Sequence, residues 1–355
     1  MKRELPRRRG RFAVWLGILL VGVGVAHTLF WHWTEQQLRR GFDEWVAERR
    51  EQGWRVQGGE PVTGGWPMSA RLVVEKASLE GGKTVIPDGF AWRAERLILG
   101  VRLLYPRQLT ILPEGEQHLR LSRMPDLPYT VDRLRIDIPL APDALTYVAD
   151  AAADNLRVEI PQGRGVAALN VGLLRLHADF RPSARRGEPA LATSTSAEGI
   201  ALPPRLPWAL GGRISSASID AVMSGPPPHS PSPLDEAKAW RDGGGKVDMR
   251  HLALGWGPLG VTASAEFRLD GQLQPTGTGT ARFVGYSEAL DGLAGGGAIT
   301  ARAAFAAKAV AALIASAPEG GGPPEVELPF ILQDRTLSVQ QIPLARVPAI
   351  PWPPA

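Results

Sequence analysis

Residues 134–138 read Leu-Arg-Ile-Asp-Ile, a strict alternation of apolar and charged side chains. A period of two is typical of a β-strand that buries one face and exposes the other. The same alternation occurs in residues 119–121 and 156–160. Similar patterns predict further strands at 69–79, 92–102, 107–112, 168–179, 212–222, 247–254, 260–269, 278–285, 325–332 and 335–342. Forty glycines and 32 prolines punctuate these segments, so the sequence predicts a mainly β (β-rich α+β) fold of antiparallel sheets with a few packing helices.

Three segments interrupt the strand pattern and predict helices. Residues 232–242 begin with Ser-Pro, an N-cap followed by a proline at the first helical position. Residues 301–317 are rich in alanine and place Phe305 and Leu313 on one helical face, which predicts a helix that packs on a sheet through that face. Residues 142–153 are a third candidate helix.

A faint internal repeat suggests how the strands are divided. At an offset of 190 residues, Gly53 and Trp66 coincide with Gly243 and Trp256. Around Gly53 and Trp66, and again around Gly243 and Trp256, the predicted order is helix, glycine, strand, Gly-Trp turn and strand. Chance matches of glycine are frequent in a chain with 40 of them, so duplication and coincidence both remain open. We expect two related β-rich lobes, residues 34–210 with an N-terminal helix and residues 211–355.

The N-terminal region has the composition of a membrane segment. Residues 12–33 read FAVWLGILLVGVGVAHTLFWHW, and as a helix they would be about 33 Å long, enough to cross the ~30 Å hydrocarbon core. The preceding tail, residues 1–11, is basic, so it should remain cytoplasmic while the bulk of the chain crosses. The residues predicted to fix the anchor in the inner membrane, with the bulk in the periplasm, are Arg7, Arg8, Arg9, Arg11, Trp15, Trp31 and Trp33.

A cleaved signal peptide is the alternative to a retained anchor. Gly24-Val25-Ala26 offers small residues where a signal peptidase would cut. The residues that follow favour retention, because Leu38, Phe42 and Trp45 continue at helical spacing to a stop near Gly53.

The distribution of charge excludes a nucleic-acid partner. The chain has a formal net charge of +4, but residues 1–11 alone contain six basic side chains and one acidic one. The other 344 residues contain 34 basic and 35 acidic side chains, without the concentrated positive face that phosphates require.

No catalytic or metal-binding pattern emerges from the sequence. There are no cysteines, and the six histidines are not spaced as metal ligands. We therefore predict no cofactor, no metal and no enzymatic activity. Aromatic and apolar residues that could line a hydrophobic groove are Trp66, Trp92, Leu97, Leu99 and Trp256.

Several motifs resemble an uncharacterised Gram-negative envelope family, domain-of-unknown-function family 2125. The resemblance begins with the basic tail and single membrane helix. It continues in the segments 45–54, 65–67 (Gly-Trp-Pro), 240–245 (Trp-Arg-Asp-Gly-Gly-Gly), 254–260 (Leu-Gly-Trp-Gly-Pro-Leu-Gly) and 269–277. The resemblance implies an anchored, periplasm-facing β-rich protein and brings no site residues.

These observations lead to one functional expectation and one alternative. We expect a membrane-anchored periplasmic protein that binds a lipid or another hydrophobic ligand, or assists lipid or outer-membrane assembly. The alternative is an envelope scaffold that binds other proteins through sheet edges or aromatic patches.

Overall fold

A computed structural model describes residues 8–81, 89–121, 124–140, 146–162, 165–204, 208–226, 232–316, 321–339, 342–350 and 352. Within these ranges the chain forms four helices and 17 strands, and the strands belong to one sheet. The predicted mainly β class is therefore confirmed.

The helices are α1 (Arg8–Glu51), α2 (Pro233–Asp242), α3 (Tyr286–Gly295) and α4 (Ala301–Ile314). The strands are β1 (Arg55–Gln57), β2 (Val62–Gly64), β3 (Ser69–Gly81), β4 (Phe90–Arg102), β5 (Tyr105–Leu121), β6 (Leu127–Thr130), β7 (Arg133–Pro139), β8 (Tyr147–Gln162), β9 (Gly165–Phe180), β10 (Pro189–Ala201), β11 (Arg213–Ser224), β12 (Lys246–Trp256), β13 (Leu259–Leu269), β14 (Pro275–Val284), β15 (Glu325–Gln333), β16 (Thr336–Val339) and β17 (Ile342–Arg346).

The sheet is an antiparallel meander in which strands pair with their neighbours along the chain. The short strands β1 and β2 both pair with β3, and β6 and β7 together bridge β5 and β8. From β8 to β17 each strand pairs with the next. The predicted boundary at residues 210 and 211 lies between β10 and β11, which pair with each other in the same sheet. The division into two lobes stays a prediction.

Helix α1 is a single helix that joins the apolar N-terminal segment to the amphipathic segment after it. The chain leaves the helix at Gly53, whose φ of 81° allows the Trp54 amide to donate to the Arg49 carbonyl oxygen at 2.9 Å. The prediction of a continuous helix that stops near Gly53 is thus confirmed.

The second half of α1 lies along β3, and the first half extends past the end of the sheet. His27 contacts Pro67, just before β3 begins, whereas Trp54 packs against Phe90 beside the end of β3, with ring centroids 5.3 Å apart. We call the end of the sheet that carries Ser69 the proximal end and the end that carries Gly81 the distal end. The side chains of residues 15–26, beyond the proximal end, are all exposed.

Two of the three shorter helices were predicted correctly. Helix α2 begins at Pro233, and the Ser232 hydroxyl accepts a hydrogen bond from the Asp235 amide at 3.3 Å. Helix α4 also forms, but the prediction that Phe305 and Leu313 pack on the sheet was wrong, because both are exposed. Its buried face instead carries the small side chain of Ala304, which permits close approach to the neighbouring elements.

The prediction of a helix at 142–153 was wrong where the structure describes that segment. Tyr147 begins strand β8, and Ala151 lies between Ile136 of β7 and Leu176 of β9. Alanine has high helix propensity, but cross-strand pairing on both sides outweighs this weak local preference.

The most densely buried part of the sheet lies on β3 and β4, which α1 contacts. Leu72 is 1% exposed, and Ala70, Leu99 and Val101 are also buried. Among the described residues, the α1–sheet contact therefore forms a well-buried part of the hydrophobic core.

Candidate functional site: the apolar face of the sheet

One face of the sheet is apolar across almost its whole width. Leu72 of β3 lies beside Leu99 of β4, and from there a row of paired residues continues strand by strand to Leu328 of β15. The row consists of Leu72, Leu99, Ile111, Ile136, Ala151, Leu176, Thr195, Ile219, Leu252, Ala263, Ala281 and Leu328. Only Thr195 is polar. At about 4.8 Å between strands, the row is roughly 50 Å long along the sheet.

The row next to it, one residue along each strand, is polar and points to the opposite face. It consists of Arg71, Gly100, Thr110, Asp137, Asp150, His177, Ser194, Asp220 and His251. On the central strands this separation gives the sheet one apolar face and one polar face, and a one-residue slip would break it. On β3 to β5 the opposite face also carries apolar side chains, those of the register partners Val73, Ile98 and Leu112.

The apolar face is covered at its edges and partly open in the middle. Helix α1 contacts β3 and β4, α2 and α3 contact β13, and α4 contacts β15. In the central strands β9 and β11, Leu176 is 38% exposed and Ile219 is 37% exposed. Apolar side chains that remain this accessible at the centre of a sheet offer a surface on which an apolar ligand could lie.

A pair of stacked aromatic rings closes the proximal end of this open region. Tyr147 of β8 and Phe180 of β9 are register partners on the apolar face, with ring centroids 6.5 Å apart. Both rings are exposed. The apolar face is continued on the neighbouring strands by Leu191 and Met223.

The residues predicted to line a groove are only partly brought together. Trp92, Leu97 and Leu99 share the apolar face of β4, where they pair with residues of β3. Trp66 lies in the turn before β3 at the proximal end, and its side chain is exposed. Trp256 ends β12 at the distal end, where its Nε1 donates to the Gly211 carbonyl oxygen at 2.7 Å. The set therefore spans most of the sheet and forms no single pocket.

Sequence reasoning missed the residues that form the open part of the face. Leu176 and Ile219 lie in strands that were predicted, but β10 between them was not. Its sequence, Pro189–Ala201, is dominated by alanine, serine and threonine and has no clear apolar alternation. Without β10, the register that aligns Leu176 with Ile219 could not be deduced.

The predicted anchor residues fall on α1, with one exception. Arg8, Arg9 and Arg11 lie in the first turns of the helix, and Arg7 lies outside the described residues. Trp15 and Trp33 are exposed, whereas Trp31 donates from Nε1 to the Ser69 carbonyl oxygen at 2.7 Å. By length and composition α1 could cross a membrane, a test that a signal sequence also passes.

The polar face carries several ion pairs. Around a shallow depression of about 370 Å³, His177 Nδ1 lies 2.7 Å from Asp150 Oδ1, and this hydrogen bond raises the pKa of His177. Partial burial would raise the pKa of Asp137, but hydrogen bonds from Arg135 and Thr110 lower it overall. Each of these charges is matched by a neighbour, as in a structural ion-pair network, and the His177–Asp150 pair is open to solvent.

Across the part of the chain that the structure describes, no group of three or more histidine, aspartate or glutamate side chains could hold a metal ion.

The fold and the site together define a class of protein in which a long antiparallel meander with one apolar face follows an N-terminal helix. The first half of that helix is apolar. The chain belongs to DUF2125, a family described as uncharacterised and conserved in bacteria, whose family model matches residues 31–348. No curated protein and no solved structure matches the chain.

Proposed function

We propose that this protein is anchored in the inner membrane by α1, with the sheet in the periplasm, and that the apolar face binds a lipid acyl chain or a similar elongated hydrophobic ligand. The observation that carries the proposal is the row that includes Leu176 and Ile219, two apolar residues left more than one third exposed in the middle of a sheet.

The size and chemistry of the face support an elongated apolar ligand. Antiparallel sheets usually pack one face on a core and leave the other in water. Here the polar face is solvated, as expected. The apolar face, which should be packed on a core, is partly left in contact with water instead. A ligand that covers Leu176 and Ile219 would remove their side chains from water, at about 25 cal/mol for each Å² of apolar surface.

Helix α1 supports the location. Its basic first turns and apolar residues 12–26 match a segment whose N-terminus stays in the cytoplasm. An anchored sheet would remain beside a source of lipid, which raises the effective concentration of such a ligand.

Photo-crosslinking tests the ligand-binding part of the proposal. Cells that express the full chain would be fed a fatty acid that carries a diazirine, so that bound lipid is captured on irradiation. We expect the wild-type protein to be labelled and Ile219→Glu to reduce labelling several-fold, because a carboxylate on the apolar face opposes an acyl chain.

Ile331→Glu is the matched control. Ile331 lies on the polar face of β15, where it pairs with Thr278, and it is 47% exposed, close to the value for Ile219. Equal labelling of wild-type, Ile219→Glu and Ile331→Glu proteins, or equal losses in both variants, would count against binding on the apolar face.

The location has its own test. Alkaline phosphatase fused after Ala355 should be active, because that enzyme matures only outside the cytoplasm. Activity restricted to a cytoplasmic reporter would overturn the topology. The mass of the purified chain would decide between a retained anchor and cleavage after Ala26.

A second candidate function, an envelope scaffold, is favoured by α4. This helix lies at the distal end between β14 and β15, and Phe305, Val310 and Leu313 are all exposed on it. An exposed cluster of this kind is typical of a protein-binding surface. The double variant Phe305→Glu, Leu313→Glu should then abolish co-purification of a defined partner while lipid labelling persists. If co-purification persists, or if lipid labelling is lost together with it, this role is contradicted.

A further inference from the structure

We propose that the proximal end of the sheet is itself inserted into the membrane surface, as a second lipid contact beside α1. The contact is made by four exposed residues in two adjacent turns, Trp66, Met68, Leu104 and Tyr105, which we call the proximal tips. This inference rests on the anchoring of α1 proposed above.

The two turns are fixed to each other and to α1. The Leu103 amide donates to the Met68 carbonyl oxygen at 3.2 Å, and Leu103 is buried while Leu104 beside it is 84% exposed. Nε2 of His27 lies 2.7 Å from the Pro67 carbonyl oxygen, and Trp31 donates to the Ser69 carbonyl oxygen. The depth of the turns in a bilayer is therefore set by the depth of residues 27–31 of the helix.

The length of the apolar segment sets that depth. Between Arg11 and His27 there are fifteen residues, 12–26. At ~1.5 Å per residue they cover about 22 Å, which is less than the ~30 Å hydrocarbon core. A helix that crosses the core must therefore use residues beyond Ala26, to about Trp31, and any tilt increases the number required.

Pro67 and Ser69, which are hydrogen-bonded to His27 and Trp31, must lie at the same depth in the membrane as these two helix residues. When residues up to Trp31 complete the crossing, Pro67 and Ser69 lie at the outer boundary of the hydrocarbon core. Trp66 and Met68, in the turn before β3, then lie among the lipid headgroups and upper acyl chains.

The chemistry of the second turn fits the same layer. Residues 101–107 read Val-Arg-Leu-Leu-Tyr-Pro-Arg, so basic side chains flank the apolar tip. The Arg102 guanidinium lies over the Tyr105 ring, 5.2 Å from its centroid. Aromatic rings and basic side chains at a single level are typical of the membrane interface, where arginine meets anionic headgroups.

The absence of cysteine from the chain makes a direct test possible. Single cysteines would be introduced into the full chain as Leu104→Cys, Leu313→Cys and Val21→Cys, labelled with a nitroxide and reconstituted into vesicles of phosphatidylethanolamine and phosphatidylglycerol. Collision rates would be measured with oxygen, which concentrates in the bilayer, and with a water-soluble nickel chelate.

Leu313→Cys is the matched control, since Leu313 is 86% exposed but lies on α4 at the distal end. We expect the ratio of oxygen to nickel collisions to be several-fold higher at position 104 than at position 313. Equal ratios at these two positions would overturn the inference.

The label at position 21 separates this outcome from failure of the anchor. A high ratio at position 21 with a low one at 104 would reject membrane contact by the tips and leave the anchor intact. A low ratio at position 21 would reject the anchor itself and this inference with it. Leu104→Asp should abolish protection of a label at Met68→Cys from the nickel chelate, which tests the same contact with the label in the other turn. Unchanged protection would oppose the inference.

Discussion

Nε1 of Trp92 on β4 donates a 2.9 Å hydrogen bond to the hydroxyl oxygen of Tyr129 on β6, across the intervening strand β5. The Tyr129 hydroxyl in turn donates to Oε1 of Gln117 on β5, at 2.8 Å, and Gln117 is fully buried. This chain of polar groups lies on the apolar face and fixes three strands to one another. Trp92, predicted to line a groove, thus also takes part in a hydrogen-bonded connection between strands.

Tyr129→Phe should destabilise the fold through loss of this chain. The variant removes both the acceptor of Trp92 and the donor to Gln117, and each buried polar group left unsatisfied costs about 1–3 kcal/mol. Burial raises the pKa of Tyr129, so its hydroxyl remains protonated and able to donate at neutral pH. Chemical unfolding in detergent would measure the loss. Tyr147→Phe, at an exposed tyrosine on β8, is the control, and equal stability of the two variants would refute the assignment.

Gly65→Ala should disturb the turn that holds α1 to the sheet. Gly65 has a φ of 94°, and a Cβ there would lie 2.6 Å from the Ser69 carbonyl oxygen, the same oxygen that accepts from Trp31. Strain of this kind costs about 1–3 kcal/mol.

The neighbouring Gly64 provides the control for this substitution, because a Cβ there has open space around it. Thermal unfolding of Gly65→Ala and Gly64→Ala should differ, with only the first lowered. If both unfold at the wild-type temperature, the Gly65 turn does not restrain α1.

The strands and the long helix could be predicted because their patterns are local. Leu134-Arg135-Ile136 alternates in the sequence and forms β7 in the structure, and the apolar run before His27 forms the start of α1. Period-two alternation indicates which face of a strand meets water, and the length of an apolar run indicates a long helix. Both patterns can be recognised without knowing which strands pair with one another.

The open region of the apolar face could not be predicted, because it depends on strands without a local pattern. β10 is identified as a strand only by its pairing with β9 and β11, which bring Leu176 and Ile219 into one row. The orientation of α4 depends on similar distant contacts. Lys308 Nζ reaches Asp291 Oδ2 on α3 at 2.6 Å, and this contact accompanies the outward orientation of Phe305.

Leu72→Ala should measure how strongly α1 and the first strands are packed. Leu72 is almost completely buried on β3, so its truncation leaves a cavity and should cost about 2–5 kcal/mol. Leu313→Ala removes the same atoms from an exposed position on α4 and should change stability by less than about 0.5 kcal/mol. Similar unfolding midpoints for the two variants would show that β3 is not part of the main core.

His177 should make the polar face sensitive to pH. Its hydrogen bond to Asp150 raises its pKa in the folded protein above the ordinary value. A group whose pKa is raised on folding stabilises the fold fully at pH values below its unfolded pKa of about 6.5, and that contribution is lost as the pH rises through the folded pKa. The stability difference between wild type and His177→Gln should therefore be larger at about pH 5 than at about pH 9. The effect should be modest, because the ring is half exposed and water screens the pair.

Proton NMR of the His177 ring would test the cause directly. Asp150→Asn removes the closest partner, 2.7 Å away, and should lower the pKa of His177 towards its ordinary value. Asp179→Asn removes a carboxylate that lies 3.5 Å from Nε2 and should lower the pKa by less. A larger decrease in Asp179→Asn than in Asp150→Asn would mean that the register between β8 and β9, which pairs Asp150 with His177, is not the one that holds in solution. Because Ala151 and Leu176 are the next pair along these strands, the same titration also tests the register that builds the apolar face.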